Sequence, residues 1–217
     1  MRRRPTVTIG LTGSIGMGKS TAGALLRWLR IPVHEADREV HVLLGAGGAA
    51  VEAVAAAFPG VVRNGAIDRA RLGAMVFDDP AALARLESII HPLVRRGEER
   101  FLARAAARRQ ALVALDIPLL FETGSAARVD ATVVVSAPPF VQAARVLGRA
   151  GMTLERLAAI RARQMPDAEK RRLADVVVPT GLGRRLTLCR LARLSRTMRD
   201  RGRRAAMGRA RRRARNA

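Results

Sequence analysis

Residues 6–30 of this 217-residue chain, TVTIGLTGSIGMGKSTAGALLRWLR, run a β-branched segment into a glycine loop and the loop into a helical pattern. No other stretch limits the fold as tightly. Thr6 to Leu11 reads as a short buried strand, and Thr21 to Arg30 as a helix broken by Pro32. Between them, Gly13, Gly18, Lys19 and Ser20 fit the spacing G-x-x-x-x-G-K-[ST], a loop that wraps nucleotide phosphates. Glycine is needed where the backbone bends tightly around phosphate oxygens, because a Cβ would block both the dihedral angles and the approach. The helix that follows points unpaired N–H groups and the positive end of its dipole at the anion.

Composition adds weight to the lysine. The chain holds 40 lysines and arginines, yet only Lys19 and Lys170 are lysine. A compact ammonium on a thin stem fits between β- and γ-phosphates, where a broad guanidinium fits less well. Geometry therefore overrides the arginine bias at Lys19. Ser20 is placed to offer its hydroxyl to Mg²⁺. The expected ATP-contacting set is Gly13, Ser14, Gly16, Met17, Gly18, Lys19, Ser20 and Thr21.

Further along, IPVHEAD gives a second short strand with acids at its end. From 38 to about 109 the pattern is mainly helical, with turns at Pro59-Gly60 and Asn64-Gly65. ALVALDIPLLFE, VDATVVVSAPP and ADVVVPTG supply three more strands. Helices are expected over Phe140–Arg149 and across TLERLAAIRARQM, and Leu186, Leu191, Leu194 and Met198 mark a final amphipathic helix. Strands separated by helices imply an α/β fold, a five-stranded parallel sheet covered on both faces, with the helical stretch as an insertion between strands two and three.

Apolar content of 49% fits a globular chain. The net charge of +22 is concentrated late: from Arg184 on there are fourteen arginines against one acid, Asp200. Residues 200–217 are expected to form a solvated, irregular arm. The sharper reading of that tail is weak nucleic-acid or membrane-surface binding, and the favoured one is a plain charged terminus. Aromatics at 3%, with no tyrosine, leave little for base stacking, so any RNA contact would be salt-dependent. No stretch approaches the roughly 20 apolar residues that cross a bilayer. MRRRP looks like a signal start, but TVTIGLTG is too short and glycine-rich for an export core. With one cysteine, Cys189, no internal disulfide can form, and a cytoplasmic setting is expected.

Two carboxylates bear on the reaction. Asp37 follows strand two, and Asp116 ends the apolar run LVAL. At the carboxyl edge of a parallel sheet, Asp37 could accept a proton from an attacking hydroxyl and Asp116 could hold Mg²⁺ through water. Each is equally compatible with a helix cap or a salt-bridge partner. The guanine-reading N-K-x-D and the LSGGQ segment are both missing, which leaves a small-molecule kinase.

IGLTGSIGMGKST, EAD at 35–37, HPLV at 91–94, DIPLLFETG at 116–124 and GMTLERLAAIRARQMPDAEKRRLAD at 151–175 occur in the order of the dephospho-CoA kinase family, which the chain resembles over about 6–183. That resemblance implies a P-loop NTPase fold and transfer of the ATP γ-phosphate to the ribose 3′-hydroxyl of dephospho-CoA. It implies a nucleotide-binding core (1–37 and 109–217), a helical insertion receiving the CoA precursor (38–108) and a lid (about 142–172). Asp37 matches the general base, Lys19 and Ser20 the phosphate and Mg²⁺ contacts, and Arg145 and Arg149 the lid arginines near ATP phosphates. Either arginine could instead line a solvated face. Glu35 stands where the family often has Asp, VPTG at 178–181 replaces an acid–asparagine step, and the basic tail has no counterpart. His91 reads as structural at the start of a helix, and Trp28 and Cys189 as core. The expected state is a monomer or small homo-oligomer. Another small P-loop kinase, acting on a nucleotide or sugar acid, and an ATP-dependent nucleic-acid-binding protein are the alternatives.

Overall fold

The computed structural model describes residues 6–77, 79–162 and 164–215, with side chains on the last helix described as far as Gly202. The N-terminal MRRRP segment, rejected above as a signal start, lies outside the described residues. Contacts divide the chain into two units, Met1–His34 with Arg104–Ala217, and Glu35–Ala103.

The first unit is built on a sheet. Its strands are β1 (Val7–Thr12), β2 (Val33–Glu35), β5 (Leu112–Asp116), β6 (Ala131–Ser136) and β7 (Val176–Pro179), in the order β2-β5-β1-β6-β7. β1 pairs parallel with β5 and with β6, and β6 with β7. The sequence yielded β1, β5 and β6 because each is a short apolar run, buried on both faces as parallel strands are, whereas β2 and β7 at the sheet edges are only partly buried. Register is fixed by carboxylates at the strand starts. Thr8 N–H donates to Asp130 Oδ2 at 2.8 Å, and Thr132 N–H to Asp175 Oδ2 at 2.7 Å.

One face carries α1 (Lys19–Trp28) and α9 (Arg184–Arg215), and the core there joins Ile9, Leu11, Leu26, Val133, Val135, Leu191 and Met198. α6 (Pro139–Leu147), α7 (Leu154–Ala162) and α8 (Asp167–Leu173) carry the chain from β6 to β7.

Three expectations about this unit are corrected. Trp28 is 70% exposed: α1 turns Ala22, Gly23, Leu25 and Leu26 inward, and Trp28 falls on the far side of the helix. Cys189 is exposed, because Thr187, Leu191, Leu194 and Met198 set the buried face of α9. The backbone of the basic tail is helical to Arg215 where an irregular arm was expected. Arginine and alanine are both strong helix formers, and no proline interrupts them.

The second unit holds α2 (Ala36–Leu44), α3 (Val51–Ala57), the antiparallel hairpin β3 (Val62–Arg63) and β4 (Ala66–Ile67), α4 (Arg69–Val76) and most of α5 (Pro80–Ala107). The Asn64-Gly65 turn closes that hairpin, with both residues at positive φ. Asp68 and Asp79 cap α4 and α5 by accepting two backbone N–H bonds each. Val54, Phe58, Val61 and Leu72 anchor its core. His91, expected at a helix start, lies inside α5 beside Pro92 and is exposed.

Candidate active site

β1 lies between β5 and β6; the chain passes from β1 to β2 on one side of it and later crosses from β5 to β6 on the other. The crevice at the carboxyl end of such a strand is where α/β sheets bind ligands. Residues 13–18 fill that position and lead into α1. Gly18 caps α1 at φ 86°, a left-handed conformation that glycine adopts without cost. Gly13 is glycine for a different reason: a Cβ there would sit 2.5 Å from Val135 Cγ2.

The loop is held from outside by its carbonyls. Gln142 Nε2 donates to Ile15 O at 2.7 Å, Arg145 Nη1 to Gly16 O at 3.3 Å and Thr180 Oγ1 to Met17 O at 2.6 Å. Among the described residues there is no cis peptide, and in a trans peptide the following N–H points opposite to the carbonyl. Fixing those three carbonyls therefore turns the N–H groups of Gly16, Met17 and Gly18 the other way. Met17 N–H closes a turn onto Ser14 O at 3.1 Å. Ile15 N–H is taken by Gln164 Oε1 at 3.1 Å.

At the start of α1, Lys19 Nζ lies 2.7 Å from Asp116 Oδ1, with the carboxylate almost fully buried. Asp116 is thus a salt-bridge partner of Lys19, and its place at the end of β5 keeps its oxygens at the loop. Ser14 is buried, Thr21 half-buried and Ser20 exposed. Arg145, read as a lid arginine, also donates from Nη2 to Thr180 O at 2.7 Å, so it ties the loop to the turn after β7. Arg149 is exposed beyond the end of α6. Asp37 lies in the first turn of α2, two residues after β2.

Sequence reasoning missed four residues that organise this region: Gln142, Gln164, Thr180 and Lys170. The Lys170 side chain on α8 is fully buried, 2.8 Å from Glu122 Oε1, with Pro118 O 3.5 Å away. Glu122 also accepts from Met165 N–H at 3.1 Å. Burial alone would raise the Glu122 carboxyl, but the Lys170 bond and the backbone N–H donors hold it below the ordinary value. This pair joins the PLLFE turn after β5 to the helix carrying EKR, two motifs far apart in sequence.

The donor set fits a triphosphate and Mg²⁺. Lys19 and the N–H groups of Gly16 and Gly18 suit phosphate oxygens, and the Ser20 hydroxyl and Asp116 are hard oxygen donors. Among the described residues no three His, Cys, Asp or Glu cluster as a cage. Mg²⁺ characteristically takes one or two protein oxygens and completes its shell with phosphates and water.

A phosphate loop at the central strand of a parallel sheet, followed by a helical connection that grips it, defines a P-loop kinase. Residues 7–181 match the family model described as CoaE, dephospho-CoA kinase. The chain belongs to the dephospho-CoA kinase family. It is 65% identical over 163 residues to the dephospho-CoA kinase of Paramagnetospirillum magneticum, covering 75% of this chain and 77% of that one. Against the Rhodospirillum rubrum dephospho-CoA kinase the identity is 60% over 181 residues, covering 83% and 86%. The crystal structure of TT1252 from Thermus thermophilus aligns with a TM-score of 0.78 at 38% identity, over 88% of this chain and 97% of that one. A dephospho-CoA kinase from Campylobacter jejuni shares the fold at a TM-score of 0.61 and 22% identity, over 89% and 97%.

Proposed function

We propose that this chain transfers the γ-phosphate of ATP to the ribose 3′-hydroxyl of dephospho-CoA, giving CoA and ADP in the cytoplasm. The supporting observation is that the family match runs through the loop, the Asp116–Glu122 turn and the Lys170 helix, and is not confined to the generic phosphate loop.

In this reading Lys19 holds the β- and γ-phosphate oxygens, which compete with Asp116 for its ammonium. Gly13, Ser14, Gly16, Met17, Gly18 and Thr21 shape and line the phosphate cradle. Ser20, and Asp116 through water, would hold Mg²⁺, which would supply positive charge beside the transferred group. Asp37 takes the proton of the ribose hydroxyl as its oxygen attacks phosphorus and the bond to ADP breaks. Arg145 serves the nucleotide by holding the loop, and Arg149 supplies a cation from the lid. The helices over 142–172 close to exclude water, which would otherwise accept the phosphate. The unit from Glu35 to Ala103 receives the CoA precursor.

ADP release should be measured with dephospho-CoA, AMP or shikimate as sole acceptor. Only dephospho-CoA should accelerate it, and acceleration by another acceptor overturns the assignment. In the same assay Asp37→Asn should lower kcat by roughly a hundredfold or more with little change in ATP KM. Undiminished kcat removes Asp37 from the mechanism.

A further inference from the structure

Helix α9 runs unbroken from Arg184 to Arg215, about 47 Å at the usual rise per residue. Its two halves differ in composition. In the first, Thr187, Leu191, Leu194, Ser195 and Met198 are buried against α1 and the sheet. The opposite side carries Arg185, Arg190, Arg193 and Arg196, all exposed. Contact with the body persists to Gly202, where an added Cβ would lie 2.7 Å from Val7 Cγ2. Beyond it the backbone continues as helix, and the sequence from 203 to 215 holds seven more arginines and no acid.

Composition alone favours a plain solvated end. Helical continuity changes that reading, since the arginines from 203 to 215 lie on the same helical rod as the anchored first half rather than on an irregular chain. We propose that α9 is a docking surface for the phosphate backbone of nucleic acid, bound without regard to base sequence. Guanidinium groups pair bidentately with phosphate. An array this long matches a linear polyanion better than a small ligand. Base readout is not expected, because α9 contains no aromatic residue on which a base could stack. A membrane surface fits less well. From 199 to 215 the only large apolar residue is Met207, so this stretch lacks the apolar face that an interfacial helix buries among headgroups. The proposal is independent of the kinase reading and uses none of its residues.

The test measures binding of the full-length protein to a labelled 20-nucleotide single-stranded RNA between 50 and 300 mM KCl by fluorescence anisotropy. Wild type should bind poly(U) and mixed sequences alike, with log K falling steeply against log salt, by about 0.7 per phosphate contact. Replacing the seven arginines from 203 to 215 with glutamine preserves helix propensity and chain length. That variant should bind at least about tenfold more weakly at 100 mM KCl, with a shallower slope and unchanged ADP release. A second variant, Arg190→Gln with Arg193→Gln and Arg196→Gln, should weaken binding further in the same direction. Affinity and slope unchanged in the glutamine variant would overturn the proposal. So would tighter binding to vesicles containing phosphatidylglycerol than to RNA, or affinity that depends on base sequence.

Discussion

At the scale of single residues, both lysines of an arginine-dominated chain make close ion pairs with carboxylates. Lys19 emerges between a glycine cap and a buried carboxylate. Lys170 reaches Glu122 from a fully buried stem. The rarity that singled out Lys19 therefore applied equally to Lys170, whose neighbours in EKRR made it look like part of a solvated run. Lys19→Arg keeps the charge but not the compact ammonium. It should reduce kcat by about two orders of magnitude, a loss comparable to removing one transition-state donor. Kinetics of the purified variant, with folding checked by circular dichroism, decide it: near-normal kcat would mean that charge alone suffices.

Among the elements, the Glu122–Lys170 pair fastens α8 to the turn after β5. Its two ends are exposed unequally, 0% for the lysine side chain and 20% for the glutamate. Glu122→Gln would strand a buried ammonium and should cost about 3–5 kcal/mol. Lys170→Met replaces the ammonium stem with an apolar chain and leaves a carboxylate that reaches water, so its cost should be clearly smaller. Urea unfolding of both variants tests the order, and equal losses would contradict the burial argument. Sequence reasoning found the strands and the loop because each is local: a β-branched run, a glycine spacing, a proline stop. It missed Gln142, Thr180 and Lys170 because their partners lie 127, 163 and 48 positions away, respectively Ile15, Met17 and Glu122. Trp28 and Cys189 failed for a related reason, since an apolar residue type does not say which side of a helix meets the sheet.

For the whole molecule, acid and charge act together. Glu122 and Asp175 titrate below their ordinary values, Asp175 chiefly through the Thr132 backbone and hydroxyl bonds. A carboxyl depressed in the folded state contributes its full stability above its unfolded value and loses it as pH falls through the folded one. Protonation also adds to a net charge already at +22. Thermal midpoints should hold steady near neutrality and drop progressively below about pH 5, with added salt recovering part of the loss. A midpoint independent of pH down to 3 would contradict this.

The three outward-held carbonyls at Ile15, Gly16 and Met17 make the phosphate cradle a shared possession of α6 and the segment after β7. Hunting for nucleotide-affinity determinants by substitution would therefore uncover Gln142, Arg145 and Thr180 beside the glycine motif itself, and drift in sequence at those distant points would retune the grip on ATP while the motif stayed letter-perfect.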